Sequence, residues 1–104
     1  MPKYACKVDG NQAEIVKALE RAGASVYSLA AVGHGVPDLL VGFRGSNHLL
    51  EVKRNKKAAY TDDQIKFRAI WRGQYERVNT VDEALAAIGV FTPEGAAELA
   101  AKHI

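Results

Sequence analysis

Only one cysteine, Cys6, occurs in the 104 residues, which excludes an internal disulfide and any zinc site built from several cysteines. Long hydrophobic runs are also missing: no apolar segment approaches the roughly 20 residues that span a bilayer. The stretch from Met1 to Gly10 carries Lys3 and Lys7 but no apolar run, so it does not read as a secretory signal. There is no internal repeat, and low complexity is confined to the alanine-rich end. These absences lead to the expectation of a soluble, cytoplasmic protein with no membrane partner.

What is present is ordinary in amount and uneven in placement. Apolar residues make up 48% and charged residues 25%, as in globular proteins, and the length suits a single domain, 1–104, with one core. The segment 53–77 holds eight basic residues (Lys53, Arg54, Lys56, Lys57, Lys66, Arg68, Arg72, Arg77) against Asp62, Asp63 and Glu76. From Val78 onward one lysine faces four carboxylates. A basic middle beside an acidic end suits a face that binds a polyanion, and equally suits solvated helix and loop charges.

The punctuation of the chain predicts its elements. Asn11 with Glu14 fits a capping box, and Ile15, Leu19 and Ala22 repeat at helical spacing, giving a first helix over about 12–23. Ser25 to Ala31 reads as a strand, and Gly33-His34-Gly35 as a flexible connection. Asp38 to Phe43 and His48 to Arg54 are strand-like, and Gly45-Ser46 between them is a pair that type II′ hairpin turns prefer. Thr61 and Gln64 open a second helix ending near Gly73, followed by a short strand from Gln74 to Asn79. Thr80 with Glu83 caps a third helix, and Thr92-Pro93 starts a fourth, over about 92–103. The expected architecture is α/β, a central mixed sheet flanked by helices in the order α-β-β-β-α-β with further helices at the C-terminal end.

The hairpin allows a geometric inference. With Gly45-Ser46 as the turn, Leu40 falls opposite Glu51, and Asp38 opposite Lys53. Cross-strand partners share a face, as do residues two apart on one strand, so Asp38, Glu51 and Lys53 share one. Diagonal neighbours lie ~7–8 Å apart, close enough for two carboxylates to converge on one magnesium ion. Leu39, Leu40, Val41, Leu49, Leu50 and Val52 surround these charges with apolar sequence. Charges in such surroundings are costly unless paired or bound to metal. Two carboxylates and a lysine are what metal-assisted phosphodiester hydrolysis requires: a site for the cation, and positive charge where the transition state gathers negative charge. A surface Asp–Lys pair with a nearby glutamate is the plainer alternative.

Pro37-Asp38, a spacer of twelve residues and Glu51-Val52-Lys53 together resemble the PD-(D/E)XK nuclease motif. The wider context is similar to the virus-type replication–repair nuclease (VRR-NUC) branch of that superfamily: Gly35-Val36-Pro37-Asp38-Leu39-Leu40-Val41, Leu50-Glu51-Val52-Lys53, Thr61 to Gln64, Gly73, and Val81-Asp82-Glu83-Ala84. The resemblance extends over about 11–88. It implies a restriction-endonuclease-like core, dependence on Mg2+ or Mn2+, and DNA as substrate. It also implies a cation held by Asp38, Glu51 and the main-chain carbonyl of Val52, with Lys53 catalytic. A glutamate in the first helix and a glutamine after the Glu-x-Lys strand map onto Glu14 and Gln64, each of which also occupies the third position of a capping box. The segment from Arg54 to Tyr60 departs from the pattern, being short and lysine-rich where a glycine is common.

The expected function is thus a metal-dependent, structure-selective DNA endonuclease, with Holliday-junction or other branched DNA as substrate and a homodimer as the working form. A non-catalytic DNA-binding module of the same fold and an RNA-directed nuclease are the rival readings. Arg54, Lys56 and Lys57 are candidates to grip the DNA backbone, and Tyr60 to stack on a splayed base. His34 reads first as a linker residue, and Phe67, Ile70 and Trp71 read as core from their helical spacing. The small residues Ala96, Ala97, Ala100 and Ala101, with Leu99, offer either a dimer contact or packing on the chain's own core.

Overall fold

Two apolar stripes and one tight turn determine the fold. The structure is a computed structural model that describes residues 10–91 and 93–102; Cys6 and Thr92 lie outside the described residues. Helix α1 (Gly10–Arg21) buries Gln12, Ile15 and Leu19, one face at helical spacing. It begins earlier than the expected capping box, and the Asn11 side chain is engaged elsewhere, its amide donating to the carbonyls of Lys53 (2.9 Å) and Asn79 (3.0 Å). The chain then forms β1 (Ser25–Ser28), β2 (Leu39–Phe43) and β3 (Ser46–Val52). Helix α2 (Asp62–Ile70) carries it across to β4 (Glu76–Val78), and α3 (Val81–Ala87) and α4 (Pro93–Lys102) follow.

The four strands make one mixed sheet in the order β1-β2-β3-β4, antiparallel except for the parallel β3–β4 pair that α2 connects. Helices flank it. Leu39, Val41, Phe43, Leu50, Val52 and Val78 face one way and form the core with Ile15 and Leu19 of α1 and Ala84 and Ile88 of α3. Thr80 caps α3 by accepting from the Glu83 N–H, while the Glu83 carboxylate accepts from the Asn79 N–H. Helix α4 packs against α3. No described helix is long and apolar enough to cross a membrane.

The hairpin differs from expectation in a way that matters. Its turn residues are Arg44 and Gly45, not Gly45 and Ser46, and Phe43 pairs with Ser46. Both turn residues have positive φ, 50° and 81°, as a type I′ turn needs; that turn follows the natural twist of the flanking strands. Leu40 therefore pairs with Leu49, not Glu51. One step beyond the last pair, Leu39–Leu50, the same register sets Asp38 across from Glu51 instead of Lys53. Because the register moved by an even count, every residue kept its face.

The expected core role of Phe67, Ile70 and Trp71 is also corrected. Helix α2 has no buried residue; Ile70 is 74% exposed and Trp71 43%. Their helical spacing is real, but the aromatic stripe stacks on itself, Phe67 on Trp71 at 5.1 Å, rather than entering the core.

Candidate active site

The site forms on the sheet face opposite the core, where β2 and β3 lose their pairing. Pro37, fully buried, stands where the next partner of Val52 would be, and it has no N–H to offer a ladder. The Val52 N–H donates instead to Asp38 Oδ2 at 2.7 Å. Within a strand the N–H and C=O of one residue point to the same side, so the Val52 carbonyl is turned toward that same end of β2.

Asp38 and Glu51 meet here. Glu51 is only 1% exposed and its carboxyl is pushed up to about 8, first by burial and then by the repulsion of Asp38; Lys53 opposes the shift. Lys53 Nζ lies 3.6 Å from Glu51 Oε2. Gln64 of α2 binds both: its Oε1 accepts from Lys53 Nζ (2.7 Å), and its Nε2 donates to Glu51 Oε2 (3.0 Å). The same Oε1 accepts from the Thr61 N–H at 2.9 Å, completing the capping box of α2. One side chain thus both closes the cap of α2 and contacts Glu51 and Lys53. Glu51 Oε1, in contrast, is buried and has no hydrogen-bond donor among the described residues. As two carboxylates, the pair leaves this oxygen to be satisfied by a proton shared with Asp38 or by a cation.

Glu14, expected among the ligands, is exposed on α1, and among the described residues no third His, Cys, Asp or Glu joins the acidic pair. The buried polar residue of α1 is Gln12, two positions earlier and on the Ile15–Leu19 face. A cation here would rest on two carboxylates, with the main-chain oxygen of Val52 and water to complete its shell, which suits an oxygen-preferring ion such as Mg2+.

The basic residues surround this centre. Arg54, Lys56 and Lys57 are exposed. Arg77, the β4 partner of Glu51, donates from Nη2 to the carbonyls of Asn55 (3.0 Å), Lys56 (3.2 Å) and Ala58 (2.8 Å), and so fixes the loop that carries them. The Tyr60 ring has Arg68 at 4.1 Å, Arg77 at 4.9 Å and Lys53 Nζ at 5.4 Å from its centroid, so cations already occupy it. Tyr75 stands two residues before Arg77, its hydroxyl buried and its pKa raised by burial, then by Tyr60 and Glu51.

Tyr75, Arg77 and Asn11 were not anticipated from the sequence. The period-two placement of Tyr75 and Arg77 in the last strand was the available signal for the first two. Asn11 offered none, since an asparagine at a helix start reads as a cap. No protein-family model, no curated protein and no solved structure matches the chain.

Proposed function

We propose that this chain is a metal-dependent, structure-selective DNA endonuclease that hydrolyses phosphodiester bonds, with a restriction-endonuclease-like topology and a VRR-NUC type of site. The observation that carries the reading is the buried Glu51 carboxyl, facing Asp38 and leaving Oε1 without a donor, with Lys53 beside it. A structural ion pair would have no reason to bury two carboxylates together against one lysine. The order of helices and strands and the placement of Gln64 over Glu51 and Lys53 support the same reading.

Bound Mg2+ or Mn2+ supplies a Lewis acid for the phosphate and lowers the pKa of a coordinated water. Asp38, Glu51 and the Val52 carbonyl would hold it. Lys53, steered by the Gln64 oxygen, orients the attacking water or stabilises charge developing on the phosphate. Gln64 fixes which Glu51 oxygen is engaged, leaving Oε1 for the metal. Arg54, Lys56 and Lys57, presented by the loop that Arg77 secures, bind the phosphate backbone on either side.

The test is a panel of nicked, flapped, splayed and four-way DNA with Mg2+, Mn2+ or EDTA, run beside Asp38→Ala, Glu51→Ala and Lys53→Ala. Metal-dependent cleavage lost in all three variants is the expected result. Binding without cleavage under every metal would leave a non-catalytic DNA-binding module. The proposed homodimer on a four-way junction is tested separately, by light scattering with and without that DNA.

A further inference from the structure

Beside the acidic pair, on the same sheet face, lies a cleft that the proposed hydrolysis does not use. Cross-strand pairing aligns Tyr27 with Leu40 and Leu40 with Leu49. Leu40 and Leu49 are each two residues from a site carboxylate, Asp38 and Glu51, so the row runs roughly 7 Å from the acidic pair. Leu40, Asn47, His48, Leu49, Trp71 and Gln74 enclose a cavity of about 200 Å³.

The aromatic wall of this cavity is held in place. The Trp71 indole N–H donates to the Gln74 carbonyl at 2.8 Å, Phe67 stacks on the ring, and Gly73 comes so close that a Cβ there would touch the indole at 3.0 Å. The Gln74 amide is spent on the backbone of Leu49, accepting from its N–H and donating to its carbonyl, so it closes the β3 edge before β4 begins. The Trp71 and Gln74 polar groups are thus engaged, and the exposed Asn47 amide at the rim supplies a donor and an acceptor. Trp71 stays 43% exposed and Leu40 37%. Arg72, next to Trp71 in sequence, is exposed and cationic.

We propose that this cleft seats one unstacked nucleobase of the strand being cut, next to the nucleotide whose phosphate lies at Asp38 and Glu51. The inference rests on the nucleic-acid reading of the site and deepens it. Three observations select a base over another occupant: the distance to the acidic pair is that of one nucleotide step, the cavity of about 200 Å³ admits a single planar ring system, and the exposed cation of Arg72 adjoins Trp71. The aromatic exposed to such a base is Trp71, since the Tyr60 ring is covered by cations.

Trp71 is the only tryptophan, so selectively excited tryptophan emission reports on the cleft. The full chain in EDTA is titrated with a short fluorescein-labelled oligothymidylate, and with a strand of equal length made of abasic sites. Anisotropy follows binding and, with unlabelled strands, tryptophan emission follows occupancy of the cleft. The expected result is quenching by thymidylate and not by the abasic strand, with affinity for thymidylate tighter on the order of tenfold. Leu40→Phe, a surface change that fills the cleft, should bring both readouts to the abasic level. Equal binding and equal emission for the two strands overturns the proposal. So does emission that changes on diluting the protein but not on adding DNA, which would place a second copy over the cleft. Base-dependent quenching in a protein that cleaves nothing with any metal would refute the nuclease reading and leave the cleft standing; cleavage without such quenching would do the reverse.

Discussion

Gly35 lies directly against the first turn of α2, where a Cβ on it would strike the Asp63 backbone and stand 2.7 Å from the Gln64 nitrogen. Its φ is +76°, a conformation that side-chain-bearing residues seldom adopt. The loop that leads to Asp38 is thereby seated on the helix that carries Gln64.

Replacing Gly35 with Ala should accordingly lift α2 from the sheet. The strained backbone alone costs about 1–2 kcal/mol. Cleavage should fall by more than the loss of folded protein explains, because Gln64 can no longer reach Glu51 and Lys53. Thermal melting and turnover measured on the same preparation test this, and wild-type turnover in the folded variant would contradict it.

Gln64→Ala should lower stability and turnover together. Loss of the cap to the Thr61 N–H costs on the order of 1 kcal/mol. Loss of the contacts to Lys53 and Glu51 should slow cleavage about 10–100-fold, as for other partners that orient metal ligands. Gln64→Glu keeps an oxygen for Lys53 but places a third negative charge beside Glu51, so it should restore the cap and not the rate.

The raised Glu51 carboxyl predicts a pH dependence of stability in the metal-free protein. Its folded value, about 8, lies above the ordinary 4.5, so the folded chain holds the proton more tightly than the unfolded chain. That contribution is complete below about pH 4.5 and is lost as pH rises through about 8. Metal-free protein should melt several degrees lower at pH 8 than at pH 5.5, and Glu51→Gln should flatten the trend. Mg2+ competes with the same proton, so its stabilising effect should grow across the same interval. A melting temperature independent of pH in metal-free wild type would contradict the shared-proton account.

Reversing Lys56 and Lys57 to Glu should weaken DNA binding and make it less sensitive to salt, because fewer phosphate counterions are displaced. Both side chains are exposed, so the fold should be unaffected. An unchanged salt slope would place the DNA on another face.

The element order, the faces of the strands and the meeting of Asp38 with Glu51 were legible in the sequence because each rests on a period of two or 3.6 residues. The register of the hairpin was not. Gly45-Ser46 has the composition of one turn, yet Arg44 accepts positive φ so that a turn matching the sheet twist can form. Asp38, Glu51 and Lys53 still share one face because a register shift by an even count leaves the faces unchanged. The fate of Trp71 was illegible for a different reason: helical spacing tells which residues share a stripe, not whether a second layer exists to cover it. Gln12, three residues before Ile15, takes the inward face, while Glu14, one residue before it, stays exposed.

Helix α2, which buries none of its residues, has a consequence for how such a protein can change over time. The core formed by Ile15, Leu19, Val41 and Leu50 gains little from it, so opening α2 should require far less free energy than unfolding the sheet. Hydrogen exchange at Ile65 to Ile70 should then outpace exchange at Val41 and Leu50 by orders of magnitude. Substitutions on the outer surface of α2 are free to alter what is bound without threatening the scaffold. The helix that orients Lys53 through Gln64 therefore also carries an outer surface open to inherited variation.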